Sequence, residues 1–343
     1  MKAAFLKEPG KIYVTDMPVP PSGDDQVLIK IKEVGICGSD IHYYNKGRIG
    51  DHIVKEPFVL GHESSGVVCE VGKNVKEFKP GDRVSVEPGV PCRSCEHCLE
   101  GRYNLCDDIQ FLGVPPFHGT FREYIAHDPR FTHKLPDTVS FTEGALAEPL
   151  SVAHNSILKV GLRPGDTVFI IGAGPIGIAC LELAKIAGAS GIFIAEISDY
   201  RLKMAEKLQA TGVIQADKDN MIEKIKDLTG GRLCDCVIEA SGSAQGIAAA
   251  ILTAKKGGRI ALVGIGDSTV HIPYHEILKK EVAINGIYRY ANSYRPVIEL
   301  LAKGKINVQD WISHRFELSR IMDAMETAKD TNIEKMKMMI YME

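Results

Sequence analysis

The feature that most constrains the fold is a glycine-rich turn between an apolar strand and an apolar helix. The run Asp166–Ile171 has the composition of a buried strand and leads directly into a Gly-Ala-Gly-Pro-Ile-Gly turn at Gly172–Gly177. An apolar helix is predicted over Ile178–Ala187 and a second strand over Gly191–Glu196. A strand, glycine turn, helix and strand in this order predict a parallel, doubly wound sheet that binds a dinucleotide.

Each glycine of this turn has its own physical role. Gly172 permits the tight turn, Gly174 lets the backbone approach a pyrophosphate, and Gly177 allows the helix to pack closely on the strand. The helix N-terminus would hold the negative charge, so the predicted cofactor-binding loop includes Pro175 and Ile176. The same glycine pattern occurs in ordinary turns, but the strand and helix on its two sides favour the dinucleotide interpretation.

The residue that ends the second strand indicates which dinucleotide binds. Glu196 comes nineteen residues after Gly177, where a carboxylate would accept hydrogen bonds from both adenosine ribose hydroxyls. Its charge would repel a 2′-phosphate, so NAD is predicted in preference to NADP. Arg201 keeps the alternative open, because a nearby guanidinium can accommodate that phosphate.

The composition divides the chain into two domains, as a length of 343 residues also suggests. Strands and helices alternate through residues 151–286, which are predicted to form the coenzyme domain. Residues 3–86 instead alternate short β-branched runs with glycine and proline, which predicts an antiparallel, mostly β unit within residues 1–150. The tail, residues 287–343, is predicted to return and complete that first domain.

Four cysteines, spaced C-x2-C-x2-C-x7-C, form the strongest metal-binding pattern, and they are Cys92, Cys95, Cys98 and Cys106. Two-residue gaps let successive thiolates converge on one ion, and a site with four such ligands has no open position. We therefore expect a structural zinc that folds a lobe. An iron–sulfur cluster is the rival, but the ferredoxin pattern places its last cysteine three residues on, before a proline, whereas Cys106 precedes Asp107.

A second group of metal-binding side chains lies between Gly35 and Gly66. Cys37 and His62 suit zinc, which accepts thiolate and imidazole ligands in tetrahedral geometry. A catalytic site needs a third protein ligand and an open position, and Glu63 and Glu148 are both candidates. Taken alone, Cys37 and His62 would more often be an ordinary buried thiol and a core histidine.

Charge and hydropathy exclude several classes of partner. The net charge is -3 and no block of lysine and arginine occurs, which argues against nucleic acid or an anionic membrane. The N-terminal residues lack a signal-peptide apolar core, and no apolar run is long enough to cross a bilayer. We expect a cytoplasmic protein whose nine cysteines are thiols and metal ligands.

The order of these motifs resembles the zinc-dependent medium-chain dehydrogenase/reductase superfamily over essentially the whole chain. Within it, the likeness is greatest to the sorbitol (L-iditol) and xylitol dehydrogenases. This resemblance implies a GroES-like, mostly β catalytic domain and a Rossmann coenzyme domain. It is carried by the segments Gly35–Tyr43, Gly47–Gly50, Val59–Gly66, Glu148–Val152, Tyr288–Asn292 and His314–Phe316.

The resemblance also implies roles for the metal-binding residues. Cys37 and His62 would bind the catalytic zinc, with Glu63 as third ligand and Glu148 in the surrounding shell. Other branches of the superfamily bind the metal through the residue at the position of Glu148. The choice between the two glutamates therefore stays open.

Further residues would handle the proton and the substrate. By analogy, Ser39 takes the proton of the substrate hydroxyl and His42 passes it toward solvent, although His42 also fits an ordinary surface histidine. Tyr43, Arg289 and Tyr290 would join Glu148 in binding a polyol, although their roles are as readily structural.

The implied activity is reversible oxidation of a secondary hydroxyl of a polyol to the ketose, with hydride transfer to NAD, in a homotetramer. Alternatives on the same frame are dehydrogenases of threonine, 2,3-butanediol or a sugar-phosphate alcohol. A catalytically silent NAD-binding protein is the alternative from another class. The sequence departs from the pattern at Glu196, where aspartate is commoner, and the four-cysteine lobe is absent from some animal sorbitol dehydrogenases.

Overall fold

The computed structural model describes residues 1–266 and 269–342. The chain forms two compact units, of which the second comprises Pro149–Ser293 and the first comprises the described residues on either side of it. The breaks thus fall at 148/149 and 293/294, compared with the predicted 150/151 and 286/287. The first break lies within a helix, Phe141–Val160, immediately before Pro149.

The first unit is built mainly of short antiparallel strands. Its helices before the first break are α1 (Gly38–Lys46) and α2 (Glu96–Leu99), and a third helix, α3 (Phe141–Val160), spans that break. Its strands in this part of the chain are β1 (Lys2–Glu8), β2 (Lys11–Asp16), β3 (Val27–Gly35), β4 (Arg48–Ile49), β5 (His52–Ile53), β6 (Phe58–Val59), β7 (Glu63–Val71), β8 (Arg83–Val86), β9 (Gly89–Val90), β10 (Gln110–Phe111), β11 (Tyr124–His127) and β12 (Thr132–Lys134).

The second unit is a parallel α/β sheet with strand order β15-β14-β13-β16-β17-β18. Three adjacent strands, at Gly191–Glu196, Thr167–Ile171 and Cys234–Glu239, are mainly apolar and buried over most of their length, as expected for a sheet covered on both faces. The strands are β13 (Thr167–Ile171), β14 (Gly191–Glu196), β15 (Gly212–Gln215), β16 (Cys234–Glu239), β17 (Ala254–Leu262) and β18 (Ala283–Gly286). The helices are α4 (Pro175–Ile186), α5 (Asp199–Lys207), α6 (Met221–Leu228), α7 (Ala244–Thr253) and α8 (Tyr274–Lys280).

The C-terminal segment returns to the first unit. It contains α9 (Tyr294–Ala302), β19 (Ile312–Glu317), α10 (Ile321–Lys329) and β20 (Lys337–Tyr341). β20 pairs antiparallel with β3, so the main sheet runs β12-β8-β7-β3-β20-β19, with β11 also on β3. The observed architecture therefore confirms a mostly β catalytic unit followed by a Rossmann-type sheet.

Helices α1 and α3 were not predicted from the sequence. Gly38 begins α1 and the preceding residue is a cysteine, so the usual N-cap signal of serine, threonine, aspartate or asparagine is missing. Gly144 and Pro149 lie inside α3 and obscure its periodicity. These two helices carry Ser39, His42 and Glu148, so they matter for the site.

Candidate functional site

The site is organised at the start of α1. Cys37 occupies the N-cap position of this helix, and its backbone N–H donates to the Asp40 carboxylate at 2.9 Å. The other Asp40 oxygen accepts a hydrogen bond from the backbone N–H of Gly61 at 3.0 Å. Asp40 is almost fully buried and thereby joins the loop of Cys37 to the loop that presents His62.

Three potential metal ligands converge at this point. The ligand atoms of Cys37, His62 and Glu63 all lie within 4.8 Å of one another. His62 and Glu63 are buried, and Glu63 is held at the start of β7 opposite Gly35 of β3. Glu148 is not one of the three, but it is buried and close enough for its charge to raise the pKa of His62.

The charge of this group favours a bound cation. Burial by itself lowers the pKa of the His62 imidazole, but Asp40 and Cys37 outweigh it and raise this pKa to about 10. Neighbouring side chains that raise the pKa of an imidazole in this way carry an excess of negative charge, and a divalent cation would neutralise that charge. One thiol, one imidazole and one carboxylate also form a set that zinc accepts.

A buried lysine completes the charge balance. The ammonium of Lys337, on β20, forms an ion pair with Oε2 of Glu63 and donates a hydrogen bond to the Ile36 carbonyl oxygen at 2.9 Å. Both side chains of the pair are at most 2% exposed. Burial lowers the pKa of Lys337, but the charges of Glu63 and Cys37 outweigh it, so the net direction is upward. Gly35 makes room for the pair, because a Cβ there would collide with the Glu63 carboxylate.

The four-cysteine lobe, residues 92–106, also has the geometry of a metal site. Its four sulfur atoms lie within 4.8 Å of one another, with separations of 3.5 Å for Cys95–Cys98 and 3.9 Å for Cys92–Cys98. Tetrahedral zinc with bonds of about 2.3 Å requires sulfur atoms about 3.8 Å apart. Backbone N–H groups point at the sulfurs of Cys92 and Cys106, each at 3.3 Å. The residues therefore fit a structural zinc.

The glycine turn joins β13 to α4 in the second unit. Gly172 has φ of 97°, a left-handed conformation that favours glycine. A Cβ on Gly177 would collide with the carbonyl oxygen of Gly172, so only glycine lets α4 approach the strand this closely. The surroundings of Gly174 are open, with the nearest atom to its virtual Cβ 3.9 Å away, as a closely approaching ligand requires.

The acidic residue at the end of β14 is bound to this turn. One oxygen of Glu196 accepts from the backbone N–H of Ala173 at 2.9 Å, and the other accepts from Ile197 at 2.8 Å. The Arg201 guanidinium lies 3.6 Å from the first of these oxygens. The arrangement fits a dinucleotide, with a carboxylate and a guanidinium side by side where the adenosine ribose is expected.

Comparison with known proteins decides the family. The model of the alcohol dehydrogenase GroES-like domain matches residues 23–137, and that of the zinc-binding dehydrogenase matches residues 175–303. A sorbitol dehydrogenase from Bacillus subtilis (strain 168) is 41% identical over 344 residues, covering 99% of this chain and 97% of that protein. The chain belongs to the zinc-dependent medium-chain dehydrogenase/reductase superfamily. It lies close to the sorbitol dehydrogenases in that superfamily.

Solved structures agree with this assignment for the dehydrogenase. An Escherichia coli oxidoreductase/dehydrogenase of unknown specificity is 36% identical, with a TM-score of 0.96 over 100% of this chain and 99% of the other. A zinc-binding dehydrogenase from Sinorhizobium meliloti 1021, bound to NADP, is 29% identical, with a TM-score of 0.92 over 99% and 98% of the two chains. No helix in the described ranges of the dehydrogenase combines the length and apolarity needed to cross a bilayer.

In the dehydrogenase, α1 brings together the predicted proton-handling residues. Ser39 and His42 lie three positions apart on this helix, and residues so spaced share one helical face. Both side chains are partly exposed, whereas Tyr43 on the same helix is 2% exposed. The cap at Cys37 therefore places the helix that carries Ser39 and His42 beside the group of Cys37, His62 and Glu63.

The predicted substrate residues Arg289 and Tyr290 lie in the second unit. Arg289 has φ of 53°, and its backbone carbonyl oxygen accepts a hydrogen bond from the Asn155 side chain at 2.9 Å. Its guanidinium lies over the Tyr288 ring, 4.8 Å from the ring centre. Tyr290 is buried. This segment is held firmly within the second unit, and its part in substrate binding stays a prediction.

Two residues of the site were missed by the sequence reasoning. Asp40 had a signal, because an acidic residue three positions after a helix cap is typical of a capping box. Lys337 had none, because its sequence neighbours predict only an apolar strand. Its position beside Glu63 follows from the pairing of β20 with β3, some 300 residues apart in sequence.

Proposed function

We propose that this dehydrogenase catalyses the reversible, NAD-dependent oxidation of a secondary hydroxyl of a polyol of the sorbitol, xylitol or L-iditol type to the ketose. The observation that carries the proposal is the converging group of Cys37, His62 and Glu63, with Ser39 and His42 on the adjoining helix. A catalytically silent protein would not need metal ligands and relay together. The likeness to sorbitol dehydrogenases supports the substrate class.

For the catalytic metal, we propose Cys37, His62 and Glu63 as ligands, with Glu148 beside them. Glu63 is favoured because its carboxylate belongs to the converging group. Its partner Lys337 neutralises part of the charge that the ligands concentrate. The sulfur atoms of the four-cysteine lobe would hold a second zinc that stabilises the fold.

The proton is handled by side chains of α1. When bound, zinc supplies a Lewis acid that makes the substrate hydroxyl more acidic, and the dinucleotide accepts the hydride. The Ser39 hydroxyl oxygen takes up the proton from the substrate, and the Ser39 proton moves on toward His42. His42 releases it to solvent, which its partial exposure allows. Asp40 holds the cap of α1 and so keeps this helix aligned with His62.

Substrate orientation is assigned to four hydrogen-bonding side chains. We propose that Tyr43, Glu148, Arg289 and Tyr290 bind the hydroxyls of the substrate. A polyol presents several hydroxyls in fixed stereochemical order, so a set of such groups selects it over a simple alcohol.

The cofactor is assigned to the turn Gly172–Gly177, with Glu196 on the adenosine ribose. The carboxylate favours NAD because it would repel a 2′-phosphate. Arg201, at 3.6 Å from Glu196, is the residue through which NADP would be accepted.

The assembly and the compartment are also proposals. β18 is the edge strand of the parallel sheet, and most of its residues are exposed, including Ile284 at 38%. An uncovered edge of this kind is suited to pairing with a second copy, and the homotetramer that the resemblance implies would contain two dimers of this kind. The nine cysteines are all free thiols, which fits a reducing compartment such as the cytoplasm.

One experiment tests the activity directly. Zinc is measured per chain, and initial rates of NAD reduction are recorded with sorbitol, xylitol, 2,3-butanediol and threonine. The proposal predicts about two zinc ions per chain and turnover of a polyol. Activity on 2,3-butanediol or threonine alone would show that a polyol is not the substrate. Two zinc ions per chain with no turnover of any of these alcohols would favour a catalytically silent protein.

A further inference from the structure

The carboxylate of Glu239 is fully buried and has no part in the chemistry above. It ends β16 and accepts hydrogen bonds from the backbone N–H groups of Ser241 at 2.9 Å and Gly242 at 3.0 Å. The Ser241 hydroxyl also donates to it. A carboxylate withdrawn from water is tolerated only with donors of this kind, so the loop and the carboxylate fix each other.

Two glycines provide the space for this carboxylate. A Cβ on Gly246 would lie 2.8 Å from Oε1 of Glu239, and a Cβ on Gly264 would lie 2.1 Å from the Gly242 nitrogen and 2.8 Å from Oε2 of Glu239. Real Cβ atoms essentially never show contacts this short. The residues after β16 and after β17 are thus both shaped around one carboxyl group.

The same residue links three neighbouring loops through its backbone. Its carbonyl oxygen accepts from Val263 at 2.9 Å and Gly264 at 3.0 Å, which follow β17. The next residue, Ala240, donates to the Ile171 carbonyl oxygen at the end of β13 at 2.8 Å. A Cβ on Gly172 would lie 2.9 Å from the Ser241 nitrogen. The loops after β13, β16 and β17 therefore form one packed unit around Glu239.

The position of these loops indicates what they hold. Ligands of such sheets bind outside the carboxyl ends of the strands, where the strand order reverses, and here that point lies between β13 and β16. The proposed cofactor places its adenosine half toward β14, where Glu196 lies. Its nicotinamide half must then extend over the loops after β16 and β17.

We propose that Glu239 is a positioning residue that fixes these two loops as the seat of the nicotinamide half of the cofactor. The inference rests on the dinucleotide of the proposed function and adds a specific residue to it. Glutamine at this position offers one acceptor oxygen and turns an NH2 group toward N–H donors, so the loop would shift.

The test compares a whole cofactor with its adenosine half. Glu239→Gln is expected to raise the Kd of NADH about 10-fold or more, while the Kd of ADP changes less than about twofold. Binding is followed by titration, so no turnover is needed. Gly246→Ala should reproduce this pattern while Glu239 itself is kept. Its Cβ would displace the side chains of Glu239, Ser241 and Ser243, and because these side chains can move, the variant should still fold.

Glu182→Gln is the matched control, because Glu182 is another buried carboxylate of the same unit but lies in the middle of α4. It should leave both affinities unchanged. Wild-type NADH affinity in folded Glu239→Gln and Gly246→Ala variants would overturn the inference, and so would equal losses of NADH and ADP affinity. A wild-type protein that binds none of NADH, NADPH and ADP would instead overturn the proposed cofactor.

Discussion

Lys337 and Glu63 form a buried ion pair that joins the last strand of the first unit to the proposed metal ligands. The register explains the pairing, since Met339 of β20 and Glu63 of β7 both lie opposite Gly35 of β3. Removing two charges from water is costly, and breaking such a pair leaves one of them without compensation. The pair therefore makes the metal site depend on the C-terminal strand.

Lys337→Met should destabilise the first unit. Loss of the ammonium leaves Glu63 buried and unbalanced, and we expect the free energy of unfolding to fall by about 3–5 kcal/mol. Denaturant unfolding of metal-free protein measures this through the fluorescence of Trp311, the single tryptophan of the chain, which is buried in the same unit. Adding Glu63→Gln should recover part of the loss, because both charges are then absent. A double variant no more stable than Lys337→Met would contradict this account.

His62→Ala and Glu148→Gln should distinguish a ligand of the catalytic metal from a residue that only lies beside it. We expect His62→Ala to hold about one zinc per chain, in the four-cysteine lobe, and Glu148→Gln to hold about two. Turnover should fall about 100-fold or more in both variants, since either change would weaken the polarisation of the substrate hydroxyl by the metal. NADH binding, measured by fluorescence titration, should persist in both. Loss of zinc in Glu148→Gln would make Glu148 the third ligand instead.

Cys95→Ser should affect folding more than chemistry. Removing one thiolate from the lobe is expected to lower zinc content from about two to about one per chain and to reduce the melting temperature. Cys69→Ser is the matched control, because Cys69 is a partly exposed cysteine of the same unit outside both metal groups. Unchanged melting with the loss of all activity would refute a structural role for the lobe.

Glu196→Gln and Arg201→Ala should shift cofactor preference in opposite directions. The neutral amide no longer repels a 2′-phosphate, so the NAD/NADP ratio of kcat/KM should fall by about 10-fold, equivalent to about 1.4 kcal/mol. Removing the guanidinium should raise the ratio by depriving the phosphate of a partner. If neither variant changes the ratio, the backbone of the glycine turn determines the preference.

Ile284→Lys should disrupt assembly through β18. A charge on an exposed edge strand prevents pairing with a second copy, so the mass measured by light scattering should decrease relative to wild type. Leu228→Lys changes an exposed leucine of α6, which packs beside β15 at the opposite edge of the sheet, and should leave the mass unchanged. An Ile284→Lys variant with wild-type mass would exclude this edge as the interface.

The sequence predicted the parts of the molecule that depend on local patterns. The glycine turn, the four cysteines and the alternation of strands and helices in the second unit each follow from spacing over fewer than about 30 residues. The tail was also expected to return, because the parallel sheet already had its strands. The strand predicted over Asp166–Ile171, the helix over Ile178–Ala187 and the strand over Gly191–Glu196 agree with β13, α4 and β14 to within a few residues.

The remaining features depend on contacts between distant parts of the chain. Asp40 acts through a hydrogen bond to Gly61, and Lys337 through an ion pair with Glu63, which no local pattern displays. Glu239 likewise gains its role from Gly246 and Gly264, whose spaces are visible only in three dimensions. Sequence patterns therefore predicted the proposed metal and cofactor loops but not the residues that hold those loops in place.

The pairing of β20 with β3 also sets an order of events during synthesis. A ribosome that adds roughly 5–20 residues per second adds Lys337 roughly 14–55 s after it adds Glu63. The contiguous second unit is fully translated in that interval, whereas the first still lacks two strands of its main sheet. The proposed zinc site thus cannot gain its ion pair between Lys337 and Glu63 until β20 has been translated, and a nascent chain stalled before β20 would hold a finished coenzyme unit and an unfinished first unit.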